Sequence, residues 1–122
     1  PESVMVIGEE NALIQVFRNL LDNAIRHSDP NTTITVFLSS KNGKILFGIE
    51  DQGPGIPKRH QKRIFERFYR VDKERSRAYG GTGLGLAICR HAVLAMNGEI
   101  WVESPPDQKD NGSVFFFTLD IA

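Results

Sequence analysis

Leu13-Ile14-Gln15-Val16-Phe17-Arg18-Asn19-Leu20-Leu21-Asp22-Asn23-Ala24-Ile25-Arg26-His27 repeats its apolar side chains at helical spacing. Leu13, Val16, Phe17, Leu20, Leu21 and Ala24 share one face, and Gln15, Arg18, Asp22 and Arg26 lie opposite, which predicts an amphipathic packing helix over residues 13–25. Gly8-Glu9-Glu10-Asn11 supplies a turn with acidic residues suited to the helix start. Ser28-Asp29-Pro30-Asn31 ends it, because proline lacks the N–H that continues the ladder and disfavours helix at the residue before it.

Beyond this helix the period changes from 3.6 to 2. Ile34, Val36 and Leu38 alternate with Thr33, Thr35 and Phe37, then Asn42-Gly43 leads into Ile45, Phe47 and Ile49, the pattern of a hairpin. Residues 51–57 read as loop, and residues 61–68 as a short helix burying Ile64, Phe65 and Phe68. A polar stretch over residues 71–83 has the composition of a mobile loop. Helical periodicity returns over residues 84–96 through Leu84, Ile88, Ala92 and Met96, and Asn97-Gly98 ends it. Residues 4–7, 100–103 and 114–121 are the remaining strand candidates. The sum is an α+β fold, a two-layer sandwich with a mixed sheet covered on one face by about three helices.

A chain of 122 residues is expected to form one domain, and 40% hydrophobic with 25% charged residues is ordinary for a protein with a single core. Lys plus Arg and Asp plus Glu stand at 15 each, which argues against the broad basic surface that nucleic acid requires. The single Cys89 cannot form an internal disulfide and reads as a small core residue. No apolar run reaches the length of a membrane span, so any membrane attachment is expected outside these residues.

Three constellations carry chemistry. Asn19, Asn23 and His27 recur every four residues along the border of the first helix, where an amide oxygen suits Mg²⁺ held otherwise by phosphates and water, though such residues also simply solvate helices. Asp51 at a strand end precedes Gly53 and Gly55. Its acceptor-only carboxylate would welcome adenine's amine and repel guanine's carbonyl, while the same spacing also makes common turns. Gly81-Thr82-Gly83-Leu84-Gly85-Leu86 runs into a helix whose unpaired N–H groups favour a di- or triphosphate, and it matches neither the P-loop nor the dinucleotide fingerprint.

Residues 19–27, residues 51–56, Ile64-Phe65-Glu66-Arg67-Phe68-Tyr69-Arg70 and residues 81–86 resemble, in order, the N, G1, F and G2 boxes of sensor histidine kinases. The resemblance implies the Bergerat-type ATP-binding fold and a protein-histidine kinase catalytic domain that uses ATP and Mg²⁺. It makes Asn23 the metal ligand, sets Asn19 and Arg26 near the phosphates, His27 beside adenine and Asp51 on its amine. Arg70 is implied to reach toward the γ-phosphate, so Asn19, Arg26 and Arg70 form the implied catalytic set. The nucleotide would also be lined by Gly53, Gly55, Ile56, Tyr69, Gly81, Thr82, Gly83, Leu84, Gly85 and Leu86. Residues 71–80 correspond to the family's lid. Gly112-Ser113 resembles its last glycine-containing box and would set Ser113 near Asp51, although Asp110 stands where a glycine is expected.

Hydrolysing relatives of that fold carry a general-base Glu where this sequence has Asn19, and an amide cannot usefully accept a proton, so transfer is expected over hydrolysis. None of His27, His60 and His91 lies in the family's phospho-acceptor sequence. The implied partners are therefore a separate dimerisation and phospho-acceptor domain and a response-regulator receiver domain. The implied setting is a cytoplasmic, monomeric fragment of a homodimeric parent that could be anchored in the inner membrane.

Overall fold

The computed structural model describes residues 8–67, 85–105 and 111–121. The sequence-predicted strand over residues 4–7, the lid and Phe68 lie outside them. The first helix, α1 (Glu10–His27), begins a turn earlier than the apolar period alone indicates, because Glu9 acts as its N-cap. The Glu9 carboxylate accepts the N–H groups of Asn11 at 3.2 Å and Ala12 at 2.9 Å, satisfying donors that have no partner inside the helix. Val16, Leu20 and Ala24 are fully buried, and Leu13, Phe17 and Leu21 flank them, as the period requires.

The hairpin forms as expected from β1 (Thr35–Lys41) and β2 (Lys44–Asp51), turning through Asn42 and Gly43, both at positive φ. Two further strands, β3 (Ile100–Glu103) and β4 (Ser113–Asp120), complete the order β1-β2-β4-β3. Every ladder among the described residues is antiparallel, so the expected mixed sheet is corrected to an antiparallel one over this span. The cause is local: a tight turn can join strands only in antiparallel sense, and β4 lies between β2 and β3 with its direction opposed to both.

Ile45, Phe47 and Ile49 of β2 stand opposite Leu119, Phe117 and Phe115 of β4, all buried beneath α1 and the second helix, α2 (Gly85–Ala95). Phe47 and Phe117 stack at 4.5 Å between ring centres, and Phe17 of α1 meets both edge-on at 5.3 Å, so three rings form the hub between the layers. The opposite sheet face carries a row across all four strands, Phe37, Gly48, Phe116 and Trp101, in which the Phe37 ring lies where a side chain at 48 would stand.

Two helical expectations need correction. The segment expected as a helix over 61–68 is instead two short 3₁₀ turns, Lys58–His60 and Arg63–Phe65. One turn suffices to bury Ile64 and Phe65, and so few residues gain too little to nucleate an α-helix. In α2 and the turn that follows it, the buried stripe is Cys89, Val93 and then Met96, flanked by Leu86 and Ala92, whereas Ile88 is exposed. Apolar residues surround this helix almost completely, so their period does not determine which face turns inward.

Candidate functional site

Asn19, Asn23 and His27 lie half-buried in one line along α1, at the border the spacing predicts, and Arg26 is exposed beside them. Each step along the line is one helical turn, ~6 Å. Asn19 hydrogen-bonds to Cys89 of α2, whose thiol also reaches the Val16 carbonyl at 3.7 Å. At the far end of the pair, the Glu9 N–H contacts Met96 Sδ at 3.4 Å. The helices are therefore antiparallel, and one turn onward from the Asn19–Cys89 contact brings Gly85, the first residue of α2, level with Asn23. A β-carbon on Gly85 would meet none of the described residues within 4 Å. The N–H groups of the first turn of α2 lack intrahelical partners.

At the C-terminal end of α1 the chain meets the loop that follows β2. Gly53 packs directly on the His27 carbonyl, leaving no room for a β-carbon. Asp51 is 3% exposed and pairs in register with Ser113, which is 2% exposed. The carboxylate accepts the Gly53 N–H at 2.9 Å and the Ser113 backbone N–H. Burial nevertheless pushes its pKa above the ordinary carboxylate value, more than these two bonds lower it, and the nearby charges of Glu50 and Asp29 add to the rise.

The loop is held by a network anchored on Ser104, at the end of β3. Its hydroxyl accepts the Ile56 N–H at 2.7 Å, donates to the Gly112 carbonyl at 2.7 Å and lies 3.0 Å from the Ser113 hydroxyl. The Gln61 amide donates to the carbonyls of both Ile56 and Ser104, at 2.9 and 2.7 Å. Gly55 and Gly112 take the positive φ values this crossing needs, 88° and 90°. Ser28, next to His27, holds the one buried side-chain oxygen among the described residues that has no hydrogen-bond partner, a desolvated group whose cost a polar ligand at this corner would offset.

The structure thus gathers Asn19, Asn23, His27, Asp51, Gly53, Ser113 and the start of α2 along one side of the two-helix layer. Ile56 and Leu86 turn their side chains to the core. Tyr69, Arg70, Gly81, Thr82, Gly83 and Leu84 lie outside the described residues. Sequence reasoning missed Ser28, Gln61 and Ser104; in a Ser-Pro-Pro context Ser104 carries only the signal of a turn. A hollow of about 230 Å³ lined by residues 54–57, Ser104, Pro105 and Asn111 contains none of the amide or carboxylate groups described above.

Residues 8–122 match the family described as histidine kinase-, DNA gyrase B- and HSP90-like ATPases. The sensor-like histidine kinase SenX3 of Mycolicibacterium smegmatis is 44% identical over 99% of this chain and 30% of its own length. The probable sensor histidine kinase TcrY of Mycobacterium tuberculosis is 47% identical over 87% of this chain and 22% of its own. The chain therefore spans under a third of the length of these curated relatives. Among solved structures, the mycobacterial sensor histidine kinase MprB superposes with a TM-score of 0.82 at 35% identity, covering 95% of this chain and 74% of that one. Full-length ShkA in complex with AMPPNP gives 0.81 at 28% identity, over 98% of this chain and 24% of that one.

Proposed function

Because the chain belongs to the histidine kinase-, DNA gyrase B- and HSP90-like ATPase family, we propose that it is a single ATP-binding catalytic domain that delivers the γ-phosphoryl group to a histidine on a separate dimerisation domain. The observation that carries this reading is the alignment of three chemistries along one side of the helix layer. An acceptor-only Asp51 corner lies at one end of α1, the Asn23 amide stands one turn away, and the N-terminus of α2 is level with it. A nucleotide with its base at Asp51 and its phosphates toward Gly85 spans this line, and the AMPPNP bound to the related ShkA supports an adenine nucleotide as the ligand.

A divalent cation fits the same line. No cluster of three or more His, Cys, Asp or Glu among the described residues could cage a metal. A lone neutral amide oxygen is what Mg²⁺ accepts when phosphates and water complete its octahedron, so Asn23 would hold it. When bound, the ion supplies charge neutralisation on the phosphates. The chain's own residues do the remainder. Asp51 would select the base, the α2 terminus and Arg26 would hold phosphate, and Arg70, which lies outside the described residues, is assigned to the γ-phosphoryl group by the family resemblance alone. Asn19, bonded to Cys89 and unable to take up a proton, leaves water without a general base, so the phosphoryl group is kept for the acceptor.

The partners are the phospho-acceptor domain of the parent kinase, expected to be a homodimer, and a response-regulator receiver domain. No helix among the described residues is long and apolar enough to cross a membrane, and the proposed setting of this domain is the cytoplasm, with any inner-membrane anchor elsewhere in the parent. Calorimetric titration with ATP, ADP and GTP, with and without Mg²⁺, tests the pocket. Adenine-selective binding that responds to Mg²⁺ is expected, followed by labelling of a supplied acceptor domain from γ-labelled ATP. Absence of selective binding by the folded chain would overturn the reading.

A further inference from the structure

Residues 58–67 concentrate a charge that the nucleotide line does not use. Lys58, Arg59, Lys62, Arg63 and Arg67 belong to the chain's 15 Lys and Arg residues, and Glu66 is the single acid within the same segment. All five cations are exposed. Arg63 spends its charge on Glu66 at 3.3 Å, and among the described residues Lys58, Arg59, Lys62 and Arg67 meet no carboxylate within ion-pair distance. Like charges crowded on so short a segment repel, a cost that an anionic partner would remove.

These cations ride on a fixed support. Ile64 and Phe65 are buried, Phe65 meets Phe115 edge-on at 6.1 Å, and the Gln61 amide holds the Ile56 and Ser104 carbonyls. The two 3₁₀ turns therefore form a ridge pinned to the core on its inner side and cationic on its outer side, which lowers the ordering cost of docking. Its place follows from the packing. α1 ends at the Asp51 corner, and α2 runs antiparallel to α1 and so begins toward that end. Phe115 stands next but one to Ser113, which pairs with Asp51. The Arg63–Phe65 turn packs on α2, and the Lys58–His60 turn packs on it in its turn, so the ridge lies beside the end of α2 that the nucleotide reading gives to phosphate.

We infer that this cationic ridge is a docking surface for an acidic face of the phospho-acceptor domain, the protein that must bring its histidine to the phosphate end of α2. The inference rests on the phosphoryl-transfer reading above. Complementary charge steers the encounter and fixes orientation without taking part in the chemistry. Nucleic acid needs a broader basic surface than a chain with 15 cations and 15 acids offers. A lipid surface is engaged by cations together with exposed apolar side chains. The large exposed apolar residues, Ile14, Ile25, Val36, Leu38, Ile88 and Leu94, lie on α1, β1 and α2 rather than in this segment.

The test follows labelling of the supplied acceptor domain from γ-labelled ATP as the acceptor concentration is varied, at low and at physiological salt. The unaltered chain is compared with a variant carrying Lys58→Glu, Arg59→Glu and Lys62→Glu together, and with its Gln counterpart. ATP affinity by calorimetry and thermal stability are measured in parallel. Charge reversal is expected to raise KM for the acceptor about tenfold at low salt and neutralisation about threefold, with kcat, ATP affinity and stability little changed. Added salt should raise KM for the unaltered chain and not for the reversed variant. Should the reversed variant not fold, the Gln variant carries the test. Equal KM and equal salt dependence in the folded variants overturns the inference, and so does a rise in KM matched by an equal loss of ATP affinity. Co-sedimentation of the unaltered chain, but not of the reversed variant, with phosphatidylglycerol vesicles alongside an unchanged KM would give the ridge to a lipid surface instead. If the unaltered chain binds ATP and labels no acceptor, the transfer reading falls first, and this inference with it.

Discussion

The carbonyl oxygen of His27 occupies the place where a β-carbon on Gly53 would stand. The obstacle is backbone at the end of an eighteen-residue helix, so it cannot swing aside as a side chain would. Gly53→Ala should therefore cost about 3 kcal/mol, the upper part of the range for overpacking, measured as a loss of free energy in urea unfolding. Gly48→Ala makes a useful contrast. There the obstruction is the ring of Phe37, whose side chain can rotate toward solvent, and a smaller loss is expected. Equal losses at the two sites would show that the contact with α1 is softer than the geometry states.

Asp51 gives a prediction in pH. Burial raises its pKa above the ordinary carboxylate value of 3.8, so the protonated form is favoured more in the folded chain than in the unfolded one. The stability this group contributes is present in acid, below the unfolded value, and is lost as pH rises through the raised folded value. Recognition of an amine runs the other way, because it needs the ionised acceptor. ATP affinity should fall on acidification while the pH is still above the ordinary carboxylate range. The unaltered chain should meanwhile gain thermal stability relative to Asp51→Asn. At neutral pH that variant should bind ATP about tenfold to a hundredfold more weakly, the scale of a lost hydrogen bond to a charged group. An affinity that is flat in pH and indifferent to the substitution would remove Asp51 from the base site.

Which of these features the sequence reveals follows from how local each one is. α1 was legible to within a turn, because its apolar stripe is narrow and its cap is adjacent in the chain. The hairpin was legible because Asn42-Gly43 specifies its turn. The facing of α2 was not: Leu86, Ile88, Cys89, Val93, Leu94 and Met96 surround the helix, and only tertiary contact with α1, the Arg63–Phe65 turn and the sheet selects Cys89 and Val93 for the interior. In the proposed site, Asn23 is found by its four-residue spacing from Asn19 and His27 and Asp51 by the glycines that follow it, each ambiguous alone and assigned through the ordered resemblance of the four boxes. Ser104 and Gln61 are not found in this way, because nothing in a serine before two prolines, or in a glutamine between basic residues, reveals the distant atoms each one holds.

Cys89 tests the packing between the helices. Burial, only partly offset by the hydrogen bond from Asn19, pushes its thiol up to about 11. At pH 8 the native thiol should react with an aromatic disulfide reagent at least about a hundredfold more slowly than in the urea-unfolded chain, since the thiolate is the reacting species. Rapid native reaction would mean that α1 and α2 separate readily, and with them the Asn19–Cys89 contact that fixes the level of Gly85 relative to Asn23.

That relative level yields the last prediction. If Asn23 and the first turn of α2 serve the same phosphates, Asn23→Ala should remove the part of ATP affinity that depends on Mg²⁺ while sparing the part that depends on the base. Titrations should show ATP binding in Mg²⁺ weakened by about tenfold, or about 1.4 kcal/mol, with little change in binding measured in a chelator. Asp51→Asn should do the reverse, weakening binding in both conditions by a similar factor. The Mg²⁺ dependence of the double variant should then match that of Asn23→Ala alone, because in the proposed pose the two residues hold opposite ends of the ligand, and among the described residues they share no hydrogen-bond partner. A loss of Mg²⁺ dependence in Asp51→Asn, with Asn23→Ala unaffected, would require the nucleotide to lie the other way along α1.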